Sequence, residues 1–399
     1  PGVSGASGGG AGGIAANAGG TATQGYAGGT SVANTGGSGG GGSGGVGSSG
    51  STQSAGGNGG AGTVSTISGT SIVYAAGGGG AAGDTGTFAG GNTGVAGTPG
   101  AGGSSGAGGI GGTCNYACNA PGGAGSTPGS GGGGGSTNGG VGGNGAAGIA
   151  IMSGTVSTGG SLTISTGTGK VDLSGSSINV SSLEIKSSST SSTISAAIGG
   201  STALTLTAPL TSGVLTLSAN NTYTGVTTLN SGYLYITSAS NINGGAGGLT
   251  LAGGGIKSGA DITLSSAISL AALKTSILFA TGTTTLTVNG NITGAGNLVI
   301  ANGATGTVVL GGTNDYTGST SIYAKLKIAN QNALSTSALA IGGSSSVLDI
   351  AGYTISNAIT DSSSGGTIRS SAAGGTITGG IALNANYMTL SAASGASLT

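Results

Sequence analysis

Sixty-one of the first 150 residues are glycine, and Asp84 is the only charged side chain among them. A stretch so poor in side chains has little to bury, so it must either stay a coil or fold through its backbone. The glycines fall in doublets and runs, such as Gly131 to Gly135, without a sustained Gly-X-Y register, which argues against collagen. Neither a helical nor a two-residue apolar period persists. A flexible coil is one solution, because glycine gives up more backbone entropy on folding than any other residue. The other is a bundle of extended polyglycine II helices. Each lacks internal hydrogen bonds, but packed rows can satisfy each other's N–H and C=O groups. Order is favoured by the strand-like passages Val64–Tyr74 (VSTISGTSIVY) and Gly148–Met152, and by the absence of the Lys and Glu common in soluble linkers.

The composition changes near residue 154, which divides the chain into a glycine-rich module, 1–154, and a second domain, 155–399. The second part carries all seven Lys and Arg residues and six of the seven carboxylates. Short β-branched and Leu-rich segments recur there: Ser161–Ile164, Val171–Leu173, Ser182–Ile185, Ala203–Leu206, Val214–Leu217, Gly248–Leu251, Thr285–Val288, Asn297–Ile300 and Tyr323–Ile328. The Leu-Thr-Leu pattern sends alternate side chains to opposite faces, Leu inward and Thr outward. Gly, Asn and Ser between the segments suit tight corners. No long amphipathic helix is evident, and Ser269–Ala280 (SLAALKTSILFA) reads as two buried strands. Parallel strands without helical crossovers require a solenoid. The expected fold class is therefore an all-β solenoid, a right-handed parallel β-helix preceded by the glycine-rich module; a β-sandwich is the competing architecture.

A longer repeat sharpens this choice. Asn221-Thr222-Tyr223-Thr224-Gly225 returns as Asn314-Asp315-Tyr316-Thr317-Gly318, 93 residues later, and each copy runs on to a strand, Leu234–Ile236 or Leu326–Ile328. That separation accommodates about four rungs of low-twenties length. Residues 220–236, and less completely 312–328, resemble the passenger-associated repeat of bacterial autotransporter adhesins. The resemblance implies a β-helical passenger, an architecture that serves adhesins, matrix proteins and hydrolases alike. That family exports itself through a carboxy-terminal barrel; no barrel-like repeats precede Thr399, so a processed or truncated precursor, or another secretion route, is expected. Gly56–Gly80 and Gly139–Gly154 resemble the glycine-rich domain of phage tail-fibre and bacterial surface proteins, without the basic-aromatic strand that often closes it.

The catalytic inventory is poor. With no histidine, a Ser–His–acid relay is impossible in this chain. Asp172 and Glu184 form one candidate carboxylate pair, and Asp315, Asp349 and Asp361 are others, but their spacing selects no glycosidase pair and no calcium cage. The glycine clusters lack the strand–helix setting of a dinucleotide loop. No enzyme activity, metal or cofactor is expected. A net charge of zero gives no basic track for nucleic acid; Lys325 and Lys327 read as the exposed face of a strand. Near-neutrality permits copies to pack together. No apolar run reaches the ~20 residues of a membrane helix, so no transmembrane segment is expected. Cys114 and Cys118 are near enough in sequence to close a small oxidised loop, which suits a secreted protein; two unpaired thiols are the alternative.

Among the tyrosines, Tyr233 and Tyr235 flank Leu234. If Leu234 points inward, the pair faces out and forms the best contact patch. Threonine arrays such as 281–287 drift in spacing and give no ice-binding lattice. Asn179, Asn220 and Asn291 lie in glycosylation-type triplets. The expected protein is a non-enzymatic extracellular or cell-surface structural or adhesive element of a microbe. It would self-associate as a homo-oligomer or filament, or bind a surface glycan or protein. A phage tail-fibre or spike component that recognises a host receptor is the alternative.

Overall fold

Large aliphatic residues alternating with small hydroxylated ones determine the element type throughout the second half. In the computed structural model, strand Ala203–Thr207 buries Leu204 and Leu206 and leaves Ala203, Thr205 and Thr207 half-buried on the opposite face. The structure describes residues 8–11, 17–31, 36–50, 55–66, 71–82, 109, 111, 120–127, 129–134, 141–146 and 149–152. It also describes 155–399 apart from 158, 176, 209–211, 246, 302–305, 363–364 and 385–386. The chain forms two compact units, Pro1–Ile151 and Met152–Thr399.

In the second unit, strands stack in parallel to build a β-solenoid of about 10 turns. A first sheet runs from Ser161–Gly167 to Ile292–Gly294, and a long sheet from Lys170–Leu173 to Ile381–Leu383. A third sheet runs from Ile262–Leu264 to Thr389–Ala392. Each turn passes from one face to the next through a tight corner. Gly232, for example, takes φ 76° between Thr227–Ser231 on the first sheet and Tyr233–Ile236 on the long one, a conformation that glycine adopts without a Cβ penalty. The pairing is parallel throughout this unit's sheets, which sets aside the antiparallel β-sandwich.

Parallel register places identical roles above one another. On the inner face of the long sheet, Leu215, Leu234, Ile256, Leu278, Ile300, Ile322 and Ile341 pair in succession, and all are buried. Each buried aliphatic side chain contributes roughly 1.5–3 kcal/mol, so ladders of this kind form a core from which Trp is absent. Most expected strands are present. Tyr323–Ile328 is instead broken at a corner, with Thr320–Ile322 on the long sheet and Lys325–Ile328 on the third. Ser269–Ala280 does hold two strands, Ile268–Leu270 and Thr275–Ala280, but each buries only one face.

The two motif copies sit at different corners. The first leads into the first sheet and then the long sheet; the second leads into the long sheet and then the third. Their 93-residue separation is thus four turns plus one face. The local structure is the same in each. Tyr223 and Tyr316 are buried, and their hydroxyls share hydrogen bonds with Thr227 Oγ1 at 2.7 Å and Thr320 Oγ1 at 2.6 Å. Asn221 Oδ1 accepts from Ile198 N on the turn before, and its Nδ2 donates to Asn241 O on the turn after. Asn314 bridges Ile292 N and Ala333 O in the same way.

The first unit is held mainly by backbone. Along 37–42 the N–H donors cycle through three neighbours: Gly37 and Gly40 bond to Ala81 and Gly78, Ser38 and Gly41 to Ala11 and Gly8, and Gly39 and Gly42 to Ser48 and Gly45. Carbonyls of the same segment accept from two more, Gly57 and Gly60 on one side and Gly29 and Tyr26 on another. A three-residue cycle is the period of an extended threefold helix. At Gly39 an added Cβ would collide with the Asn58 carbonyl, so this approach requires glycine. The passage Val64–Tyr74 contributes two short antiparallel strands, Thr63–Ser65 and Ile72–Tyr74. Ile149–Met152 is also a strand.

Candidate functional site

Residues that point out of a solenoid strand are placed by the same register that stacks its core. Leu234 and Ile236 are buried, so Tyr233 and Tyr235 both face outward from the long sheet and are half-buried. The outward column through Tyr235 rises from Asp172 through Thr193 and Thr216 below it and continues through Lys257 and Phe279. One residue past the paired strands, the ladder extends through Ala301 (N to Leu278 O, 3.1 Å), Tyr323 (N to Ile300 O, 2.9 Å) and Gly342 (N to Ile322 O, 2.9 Å). Tyr235, Phe279 and Tyr323 therefore occupy every second rung of one column. The neighbouring outward column carries Val214, Tyr233, Gly255, Ile277 and Val299.

The rings lie across the sheet. A Cβ at Gly259, just past the next rung's strand, would strike the Tyr235 hydroxyl; one at Gly342 would strike the edge of the Tyr323 ring. Each tyrosine thus leans over a glycine on the following rung. The Lys257 ammonium stands 5.1 Å from the Phe279 ring centroid, within cation–π range. Sequence reasoning placed Tyr233 and Tyr235 on one face and missed the partners of Tyr235. The signal was present: Tyr235, Phe279 and Tyr323 are 44 residues apart in turn, twice the rung length.

The other tyrosines divide by environment. Burial raises the Tyr223 pKa to about 12, opposed by the Thr227 hydrogen bond, and raises that of Tyr316 for the same reason. The Tyr353 hydroxyl donates to Ala329 O at 3.0 Å, and Tyr387 is exposed.

The carboxylates do not converge. Asp172 lies on the long sheet beside Lys170 at 3.0 Å, whereas Glu184 lies on the first sheet beside Lys186 at 3.1 Å. Asp349 is buried on the third sheet, holding Arg369 at 3.0 Å and accepting from the amides of Ala351 and Ser371. Asp361 is buried in the column that follows Ile341. Among the described residues, no group of three or more Cys, Asp or Glu side chains is placed to hold a metal ion. Cys114 and Cys118 lie outside the described residues. No described helix is long and apolar enough to cross a membrane.

Together the fold and this surface define a parallel β-solenoid with an outward aromatic column. No family model, curated protein or solved structure matches the chain.

Proposed function

We propose that this chain is a non-enzymatic structural or adhesive element, secreted and held at a microbial surface, where it contacts copies of itself or a surface glycan or protein. The observation that carries this reading is the outward side of the long sheet. Its aromatic side chains recur on alternate rungs of one column, while the acids are spread over separate sheets. A track of this kind suits adhesion along a length of polymer or surface. The right-handed coil that parallel crossover connections adopt and a polyglycine II arrangement of the first unit complete the proposed architecture. Immunogold labelling of intact source cells tests the reading. Label on the outer surface is expected; label confined to the cell interior would overturn it.

The threefold donor cycle of the first unit favours one further reading, a phage tail-fibre or spike component in which a backbone-bonded lattice stiffens a receptor-binding element. Label on purified virions, rather than on uninfected cells, would select it.

A further inference from the structure

We propose that Tyr235, Phe279 and Tyr323 form a binding track for an extended β-1,4-linked polysaccharide, one aromatic platform per disaccharide. This deepens the adhesive reading and rests on it. The spacing is fixed by the backbone. Neighbouring strands lie ~4.8 Å apart, so platforms on alternate rungs recur every ~9.5 Å and the three span ~19 Å. In an extended β-1,4-linked chain successive sugars are flipped, so an equivalent sugar face returns once per disaccharide, at closely similar spacing. A 1,4-linked α-glucan curls and cannot present such faces along a straight line.

The chemistry fits a neutral polyhydroxylated ligand. Sugar rings carry patches of C–H that stack on aromatic faces, and an aromatic ring is a large rigid contact at small entropic cost. The tyrosine rings lie over Gly259 and Gly342, which add no side chain to compete for the same space. The intervening positions of the column are Lys257 and Ala301. Alanine leaves room for the flipped sugar, and the lysine ammonium, which lies over one face of the Phe279 ring and leaves stacking to the other, offers three donors to hydroxyl groups. Between the lowest and the highest of the three platforms Lys257 is the only charged residue of the column, and the next one, Asp172, lies three rungs below Tyr235 and is paired with Lys170; this suits an uncharged glycan.

Calorimetry of the full chain with cellohexaose, chitohexaose and maltohexaose tests the proposal, the first two arms separating a glucan from a chitin-type source. Binding of at least one β-1,4-linked hexasaccharide is expected, with maltohexaose at least tenfold weaker. Y235A, F279A and Y323A should each weaken binding about tenfold. The double variant Y323A/A301Y keeps the aromatic content but moves one platform by a rung, and it should bind as poorly as Y323A alone. Circular dichroism checks that the variants fold. Should they not, radical footprinting of the unaltered chain is decisive, with Tyr235, Phe279 and Tyr323 protected by the bound hexasaccharide. Failure of both β-1,4-linked sugars to bind, parent-like affinity of Y323A/A301Y, or absence of protection would overturn the track. So would ladder variants that alter only sedimentation of the chain with itself, which would make a second copy the occupant. Surface label that persists without glycan binding would remove this proposal and leave the adhesive reading standing.

Discussion

Tyr223 and Tyr316 show how far one side chain's role depends on its rung. Their sequence neighbours are more polar than those of Tyr235, yet each is buried with its hydroxyl on a threonine four residues ahead. Burial disfavours the phenolate, and the Tyr223 pKa rises to about 12 despite the opposing hydrogen bond. A folded-state pKa above the unfolded value means that the folded chain holds the proton more tightly. The associated stability is complete below pH ~10 and is lost as pH climbs toward ~12. We therefore expect the denaturation midpoint to fall steeply across that interval, with Tyr223 accounting for up to about 2–3 kcal/mol. Y223F gives up the hydroxyl hydrogen bond and should start lower at pH 8, but its midpoint should decline less between pH 10 and 12. Equal alkaline slopes in the two proteins would mean that Tyr223 does not carry the transition.

At the scale of the element, stacking depends on a few buried amides as well as on aliphatic ladders. Asn314 joins three successive turns, and its removal leaves the Ile292 N–H and the Ala333 C=O without that partner. N314A should cost about 2–4 kcal/mol, since two backbone groups lose their bonds away from water. N230A, which removes an exposed bond to Thr207, should stay within about 0.5 kcal/mol. Chemical denaturation of the two variants checks the contrast. This bridging role explains what the sequence could and could not disclose. Alternation in Leu204-Thr205-Leu206 was enough to identify a strand and its inward face, because both depend on nearest neighbours. The 93-residue repeat also revealed the rung length. It did not reveal that the copies sit one face apart, because the motif needs only a turn below, a turn above and a threonine four residues on, and more than one corner supplies these. Two strands were legible in Ser269–Ala280, but the place of the corner between them was not. Leu273 is almost fully exposed and takes φ 60° in a corner that contains no glycine, asparagine or proline. The aromatic column was legible only once a strand pairing had converted 44 residues into two rungs.

At the scale of the whole molecule, each turn of the second unit rests on the turns beside it, so stability is distributed along one dimension. The ladder from Leu215 to Ile341 has a buried residue above and below every member within it. The last strands differ. Leu383 continues the inward column of the long sheet above Asp361, and Leu390 continues an inward column of the third sheet above Ile368, yet they are 57% and 56% exposed. Apolar area that remains in water contributes nothing to cohesion, and amides in such rungs open with little loss of packing. Hydrogen exchange of the chain should therefore run in a gradient, fastest across 381–392 and slowest across 234–300, where rungs are covered on both sides. Because coupling passes only between neighbours, N314A should speed exchange most in 292–333 and leave 161–207 nearly unchanged. Uniform exchange along the second unit, or an equal response to N314A at both ends, would show instead that the solenoid opens as a single block.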